Sequence, residues 1–419
     1  MKKSHLLYGE VFEPKEIEKK DVYKISDQQI DEKYRKGEMR IVTEQGRINL
    51  DSIVTLLNSK QNGKDKYILN PEYQRRKRWT NKQKSLLIES FIINVPIPPI
   101  FLYEVEYAVY EVMDGLQRLT AIKDFYEGKF ALEGLEYWQE LEGRRYAQLP
   151  GNVRAGIDRR YLSSIILLEE TAKDKEKAEE LKQIVFERLN SGGEKLTPQE
   201  TRNALYSGRF NQICAKLAEN EYFRKMWNFP LEGEVEELLL KSEEELKATK
   251  YSLNEINSYR RMDDVELVLR FFAYRHVDKL TSTTVEKFLD NFLKHANNFP
   301  DETIKNLQSL FINTVDLIYT ILGEKAFFLP QQKGEQERRS PTKTVYDSMM
   351  QAFAKNITGK DILLSKKDAI SQQLYQDSSA LNRTDKDKNP YLFDGRYNNR
   401  KDVMARIEYY DKFLEKLIQ

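Results

Sequence analysis

Between Tyr110 and Gly128 the chain reads YEVMDGLQRLTAIKDFYEG. A run of aromatic and β-branched residues ends in Asp114-Gly115 and passes at once into a helical pattern. Gln117 and Arg118 fall in its first turn. Two chemistries suit this spacing. In the plainer one, Asp114 caps the helix and Gln117, three residues on, closes a capping box, while Leu119, Ile122 and Phe125 face a core. That leaves Gly115 unexplained, because glycine is a poor helix former. It also leaves Arg118, whose positive charge opposes the dipole at a helix start. In the second chemistry, Gly115 permits close backbone approach, and first-turn amides with Arg118 form an anion site. Asp114 would repel a bare phosphate there, so it would hold Mg²⁺, a water or a sugar hydroxyl.

Three further stretches invite the same question. NPEYQRRKRWTNKQK (Asn70–Lys84) carries six basic residues and one acid. A solvated basic turn is the ordinary reading of such a run. Tyr73 and Trp79 flank the arginines, however, and aromatics among arginines suit a nucleotide base or a nucleic-acid backbone. Gln74 and Arg75 are therefore read toward a nucleotide, and Arg76, Lys77, Arg78, Lys82 and Lys84 toward DNA phosphates. In FERLNSGGEKLTPQETRNA (Phe186–Ala204), a glycine turn closes one helix, and Thr197, Pro198 and Glu200 open the next. Arg188, Asn190 and Arg202 are left over, and the glycine turn could receive a second phosphate group. In YRRMDDVELVLRFF, Val265, Val268, Leu269 and Phe272 read as core. Asp263, Asp264 and Glu266 read as favourable first-turn acids rather than metal ligands.

Composition removes other chemistries. The net charge is +1, from 68 basic and 67 acidic residues, so nothing global draws the chain to DNA or an anionic membrane. A lone Cys214 excludes an internal disulfide framework and suits a reducing cytosol. His5, His276 and His295 are scattered, which removes zinc sites of ordinary spacing and gives no support to Ser/His/Asp or Cys/His catalysis. What remains is carboxylate, Arg, Lys, Gln and Asn chemistry with Mg²⁺. The start MKKSHLLYGEVFEPKE has no apolar signal-peptide core, and no run reaches the roughly 18 apolar residues of a membrane span. The expected location is the cytoplasm, with no membrane contact.

The elements that must position these residues fall into three regions. Residues 1–45 read as a loosely packed, charged arm ending in a short strand near EMRIVT. Residues 46–172 read as a small α+β domain. LDSIVTLLNSK is helical there, and KYILN is a short strand. TNKQKSLLIESFIIN is a helix capped by Thr80 with Gln83. IPPIFLYEVE and YAVYEVMD are adjacent strands, and YLSSIILLEE is a buried one. Residues 173–419 read as helical throughout, with LEGEVEELLLKSEEELKATK a solvated helical excursion.

Taken in order, PEYQRRKRW, YEVMDGLQRLTAI and FERLNSGGEKLTPQETRNA resemble the N-terminal domain of GmrSD-type restriction proteins. That family's Asp-Gly-Gln-Gln-Arg signature is matched at Asp114, Gly115, Gln117 and Arg118, with Leu116 replacing the first Gln. The resemblance covers roughly residues 45–210. It implies a ParB/sulfiredoxin-like α+β fold followed by a mostly α-helical domain, and a place in a DNA restriction or phage-defence system that couples NTP hydrolysis to DNA cleavage. The family's HNH-type nuclease domain finds no match here, which suggests a separate nuclease subunit.

The resulting expectation is a Mg²⁺-dependent NTP hydrolase of unknown base preference. Asp114, Gln117 and Arg118 would be catalytic, with Asp114 on the metal. Gln74, Arg75, Gly115, Arg118, Thr120, Arg188 and Asn190 would bind the nucleotide. DNA is the expected second partner. The alternatives are a ParB-like DNA-binding protein or metal-dependent nuclease, and a non-catalytic scaffold.

Overall fold

The computed structural model describes residues 5–14, 26–36, 41–69, 79–168, 175–189, 196–206, 208–241, 243–280, 284–329, 340–374, 392–393 and 399–418. The chain forms two compact units, Glu18–Leu205 and Met1–Ile17 together with Tyr206–Gln419.

The first unit runs α1 (Asp27–Lys36), β1 (Thr43–Asn49), α2 (Ile53–Leu57), β2 (Lys60–Gln61), β3 (Lys64–Asp65), β4 (Tyr67–Ile68), α3 (Asn81–Ile92), β5 (Ile100–Glu106), β6 (Val109–Asp114), α4 (Leu116–Tyr126), α5 (Gly151–Asp158), β7 (Tyr161–Leu167), α6 (Lys175–Leu189) and α7 (Pro198–Leu205). Among the described residues, five strands make one sheet in the order β1-β7-β5-β6-β4. β1 is antiparallel to β7, and β5 is antiparallel to β6. β5 is parallel to β7, and β4 is parallel to β6. The expected α+β class is the class observed.

The two-residue period of a strand sorts the side chains onto two faces. Ile100, Leu102, Val112 and Leu162 enter a core with Leu87, Ile88, Phe91, Leu119, Ile122 and Phe125 of α3 and α4. Phe101, Tyr103, Met113 and Leu167 meet Phe186, Ala204 and Leu205 of α6 and α7 on the other face. The sheet thus lies between two helical layers. Thr80 caps α3 as its spacing implied: its Oγ1 accepts the Gln83 N–H at 3.3 Å, and the Gln83 side chain accepts the Thr80 N–H at 3.0 Å.

The strand expected near EMRIVT lies further along, at Thr43–Asn49. Its residues are largely polar and mostly exposed, so no alternation marks it. Pairing with β7 over its full length makes it a strand. α1 was missed within a segment read as an arm. Its signal was present in SDQQ, where the Ser26 N–H donates to Gln29 Oε1 at 2.9 Å.

The second unit contains α8 (Arg209–Leu217), α9 (Glu221–Trp227), α10 (Glu232–Leu240), α11 (Glu243–Leu246), α12 (Leu253–Arg260), α13 (Asp263–Tyr274), α14 (Val285–Ala296), α15 (Asp301–Leu322), α16 (Lys343–Lys355), α17 (Lys360–Ser365), α18 (Lys367–Gln373) and α19 (Arg400–Ile418). Val265, Val268, Leu269 and Phe272 are buried on α13, as their spacing implied. From the same helix, the Arg270 Nε donates to Asp347 Oδ1 at 3.0 Å, so this buried guanidinium is matched by a buried carboxylate. The excursion at 231–250 is helical but not wholly solvated. Leu238 and Leu246 are buried with Ile256 in a small core of their own.

The segment 5–14 is not loosely packed. Glu10 and Phe12 are buried in this unit. Glu10 binds Arg275 through Nε at 2.7 Å and Nη2 at 2.8 Å. Phe12 meets His276, Phe292 and His295 edge-on. Two residues whose partners lie some 265 positions away leave no local periodicity to read.

Candidate functional site

Asp114 is the last residue of β6, and the next residue turns the chain. Gly115 has φ 96°, in the left-handed region that glycine enters at no steric cost, and its carbonyl accepts the Leu119 N–H at 3.0 Å. Gly115, not Asp114, is therefore the N-cap of α4, and no side chain caps that helix. The Gln117 side chain is used elsewhere as well. Its Oε1 accepts the Trp79 N–H at 3.2 Å. The Asp114–Gln117 capping box does not form.

The space beside Gly115 is filled by protein. A Cβ there would meet Ile100 Cγ2 at 2.3 Å and Arg118 Nη2 at 3.2 Å. The glycine is required by its backbone conformation and by the neighbouring β5 side chain, which replaces ligand approach as its reason.

Arg118 is committed to protein acceptors. Nη2 donates to Asp114 Oδ2 at 2.7 Å, and Nη1 donates to the Pro98 carbonyl and, at 3.3 Å, to that of Pro99. Its side chain is 12% exposed, whereas that of Asp114 is 46% exposed. The surface therefore presents the carboxylate and covers the guanidinium. Proline explains part of this arrangement. Pro98 and Pro99 cannot donate backbone N–H bonds, and their carbonyls at the start of β5 are free to accept from Arg118.

Topology gathers three chain segments at this end of the sheet. β4 and β6 are parallel, so both finish here, and β5 begins here because it runs antiparallel to β6. The chain leaves β4 into the arginine-rich stretch and re-enters at Trp79, which Gln117 holds. Gln74, Arg75, Arg76, Lys77, Arg78 and Asn190 lie outside the described residues.

The remaining expected residues are dispersed. Thr120 is half-buried on α4, and Lys82 is exposed on α3. Lys84 bonds Asp124 at 2.8 Å with both side chains largely covered, and its ammonium lies 5.4 Å from the Phe130 ring centroid. Any DNA phosphate there would compete with Asp124. Arg188 is exposed on the last turn of α6.

Sequence reasoning passed over two polar arrangements. Glu111 of β6 binds Lys182 of α6 at 2.6 Å, with that ammonium 5.1 Å from the Tyr103 ring centroid. In α7, buried Arg202 donates to Gln199 Oε1 at 3.0 Å, and Gln199 donates to Asn203 Oδ1 at 2.9 Å. The Thr197–Glu200 box ahead of them forms as read, with bonds of 2.7 and 3.2 Å. Arg202 had been marked as left over from capping, and that surplus was the available signal.

The arrangement can supply one fixed carboxylate. Arg118 holds Oδ2 and leaves Oδ1 as an acceptor for a cation, water or hydroxyl. Among the described residues there is no group of three or more His, Cys, Asp and Glu that could hold a metal ion. A metal here would arrive with phosphate and water oxygens, as Mg²⁺ commonly does with one or two protein carboxylates.

Residues 53–207 match the family described as GmrSD restriction endonuclease, N-terminal domain. The chain carries a GmrSD-type N-terminal domain. No curated protein and no solved structure matches it. The GmrSD-type match starts with α2 and ends within two residues of the compact unit's last residue, Leu205, so the helices α8 to α19 lie beyond it. Such a domain points to a component of a DNA restriction or phage-defence system. Among the described residues, no helix is long and apolar enough to cross a membrane.

Proposed function

We propose that the GmrSD-type domain binds a nucleoside triphosphate with Mg²⁺ at the Asp114 end of the sheet and hydrolyses it within a restriction or phage-defence system, leaving DNA cleavage to a separate subunit. The half-exposed Asp114 carboxylate, braced by a covered guanidinium, carries this reading. One carboxylate with one open oxygen fits a metal that keeps most of its ligands as phosphate and water. When bound, Mg²⁺ would neutralise charge on the phosphate oxygens. The protein's own task is positioning. Arg118 fixes the Asp114 rotamer through the Pro98 and Pro99 carbonyls, and Gln117 ties the helix start to the Trp79 end of the basic stretch. Arg118 therefore acts through Asp114 before it acts on phosphate.

Turnover of ATP, GTP and CTP by the purified chain with Mg²⁺ tests the proposal. Wild type hydrolyses at least one of them. Asp114→Asn and Arg118→Ala each lower kcat at least tenfold, and Arg118→Ala leaves nucleotide affinity nearly unchanged. Absence of turnover by wild type removes the enzyme reading, and full activity in either variant moves the site elsewhere. Thermal shift separates binding from hydrolysis, because a ligand at a hundred times its Kd contributes about 2.7 kcal/mol.

A further inference from the structure

Two buried side chains of α3 fasten the loop 133–138 from beneath. Ser85 Oγ accepts the Glu133 N–H at 3.0 Å. The Glu89 carboxylate, 2% exposed, accepts the N–H groups of Glu136 at 3.1 Å, Tyr137 at 2.8 Å and Trp138 at 2.8 Å. Three amides satisfy a charge that would otherwise be buried without partners. The Leu135 N–H adds a bond of 2.6 Å to Glu142.

What this fixed loop presents is aromatic. Tyr137 is 72% exposed and Trp138 is 38% exposed. Both line an open cleft of about 400 Å³ shared with Glu140, Arg144 and Pro150. Rings held before a partner arrives lose little freedom on binding, and Trp and Tyr are enriched among residues that dominate interfaces. The charges around the cleft set the sign of the partner. Arg144 donates to the Gln148 carbonyl at 3.3 Å, and Arg145 donates to that of Gly128. The exposed carboxylates of Glu133, Glu136 and Glu140 have no ion-pair partner among the described residues.

We propose that this cleft binds an arginine-bearing peptide segment of a partner protein, with a guanidinium lying across the Tyr137 and Trp138 rings and its charge met by Glu140. A planar, weakly hydrated cation suits an aromatic face beside a carboxylate. Nucleic acid also stacks on exposed aromatics, but its phosphates would face the three carboxylates. The inference is independent of the nucleotide site.

Fluorescence anisotropy with labelled nona-arginine and the full chain tests it. Wild type binds nona-arginine more tightly than nona-lysine. The Tyr137→Ala/Trp138→Ala double variant and Glu140→Gln each weaken nona-arginine binding at least tenfold at an unchanged melting temperature. Should the double variant unfold, Glu140→Gln and the arginine-over-lysine preference carry the test. Equal nona-arginine affinity in wild type and Glu140→Gln overturns the proposal. So does a labelled dT20 oligonucleotide whose binding falls in the double variant.

Discussion

Gly115 concentrates two requirements in one residue: a φ of 96° and the absence of any Cβ beside Ile100. Gly115→Ala is expected to cost about 2–5 kcal/mol, combining left-handed strain with overpacking. A lower denaturant midpoint at unchanged slope would show it, whereas a midpoint within experimental error of wild type would mean that the turn relaxes. Arg118 carries a different lesson. An arginine in the first turn looked like an anion hook because its charge is unfavourable there. In the folded chain that charge is offset by Asp114, and its donors satisfy two carbonyls that β5 cannot use. Lysine is a poor replacement, since a single ammonium lacks the planar fork that serves these acceptors together.

Among the elements, the segment 5–14 shows how a polar stretch becomes structural. Burial pushes the Glu10 carboxyl upward, but bonds from His276, Arg275 and the Leu7 amide, with the charge of Arg275, outweigh it and bring the group down to about 2. The folded value lies below the ordinary 4.5, so the unfolded chain binds this proton more tightly. Glu10 therefore stabilises the fold fully above pH ~4.5, and its contribution is lost as pH falls toward about 2. The shift corresponds to about 3 kcal/mol. Glu10→Gln should destabilise at pH 7 by a similar amount, because Arg275 loses its buried counter-charge, and should lack this acid-side component. An acid titration of unfolding free energy that is parallel for wild type and Glu10→Gln would contradict this role.

At the scale of the whole molecule, the two compact units have separate cores, and one of them is discontinuous in sequence. Calorimetry is expected to resolve two transitions. Removing residues 1–17 should lower the one belonging to the helical unit, which loses Glu10 and Phe12, and leave the other in place. A single transition displaced as a whole would show that the units unfold together.

The sequence by itself determined the elements whose signals are local. Thr80 with Gln83 and Thr197 with Glu200 marked helix starts, because a capping box is complete within four residues. The alternation in β5 and β6 and the helical spacing in α13 marked what is buried, because period follows directly from backbone geometry. The α+β class and the motif order followed from these. Only the tertiary structure decided which partner each polar group takes. Asp114 faces Arg118 and not an amide, Gln117 reaches Trp79, Lys84 turns to Asp124, and Glu89 gathers a loop nearly fifty residues on. A side chain's type states what it can bond, and only the fold brings that partner within 3 Å.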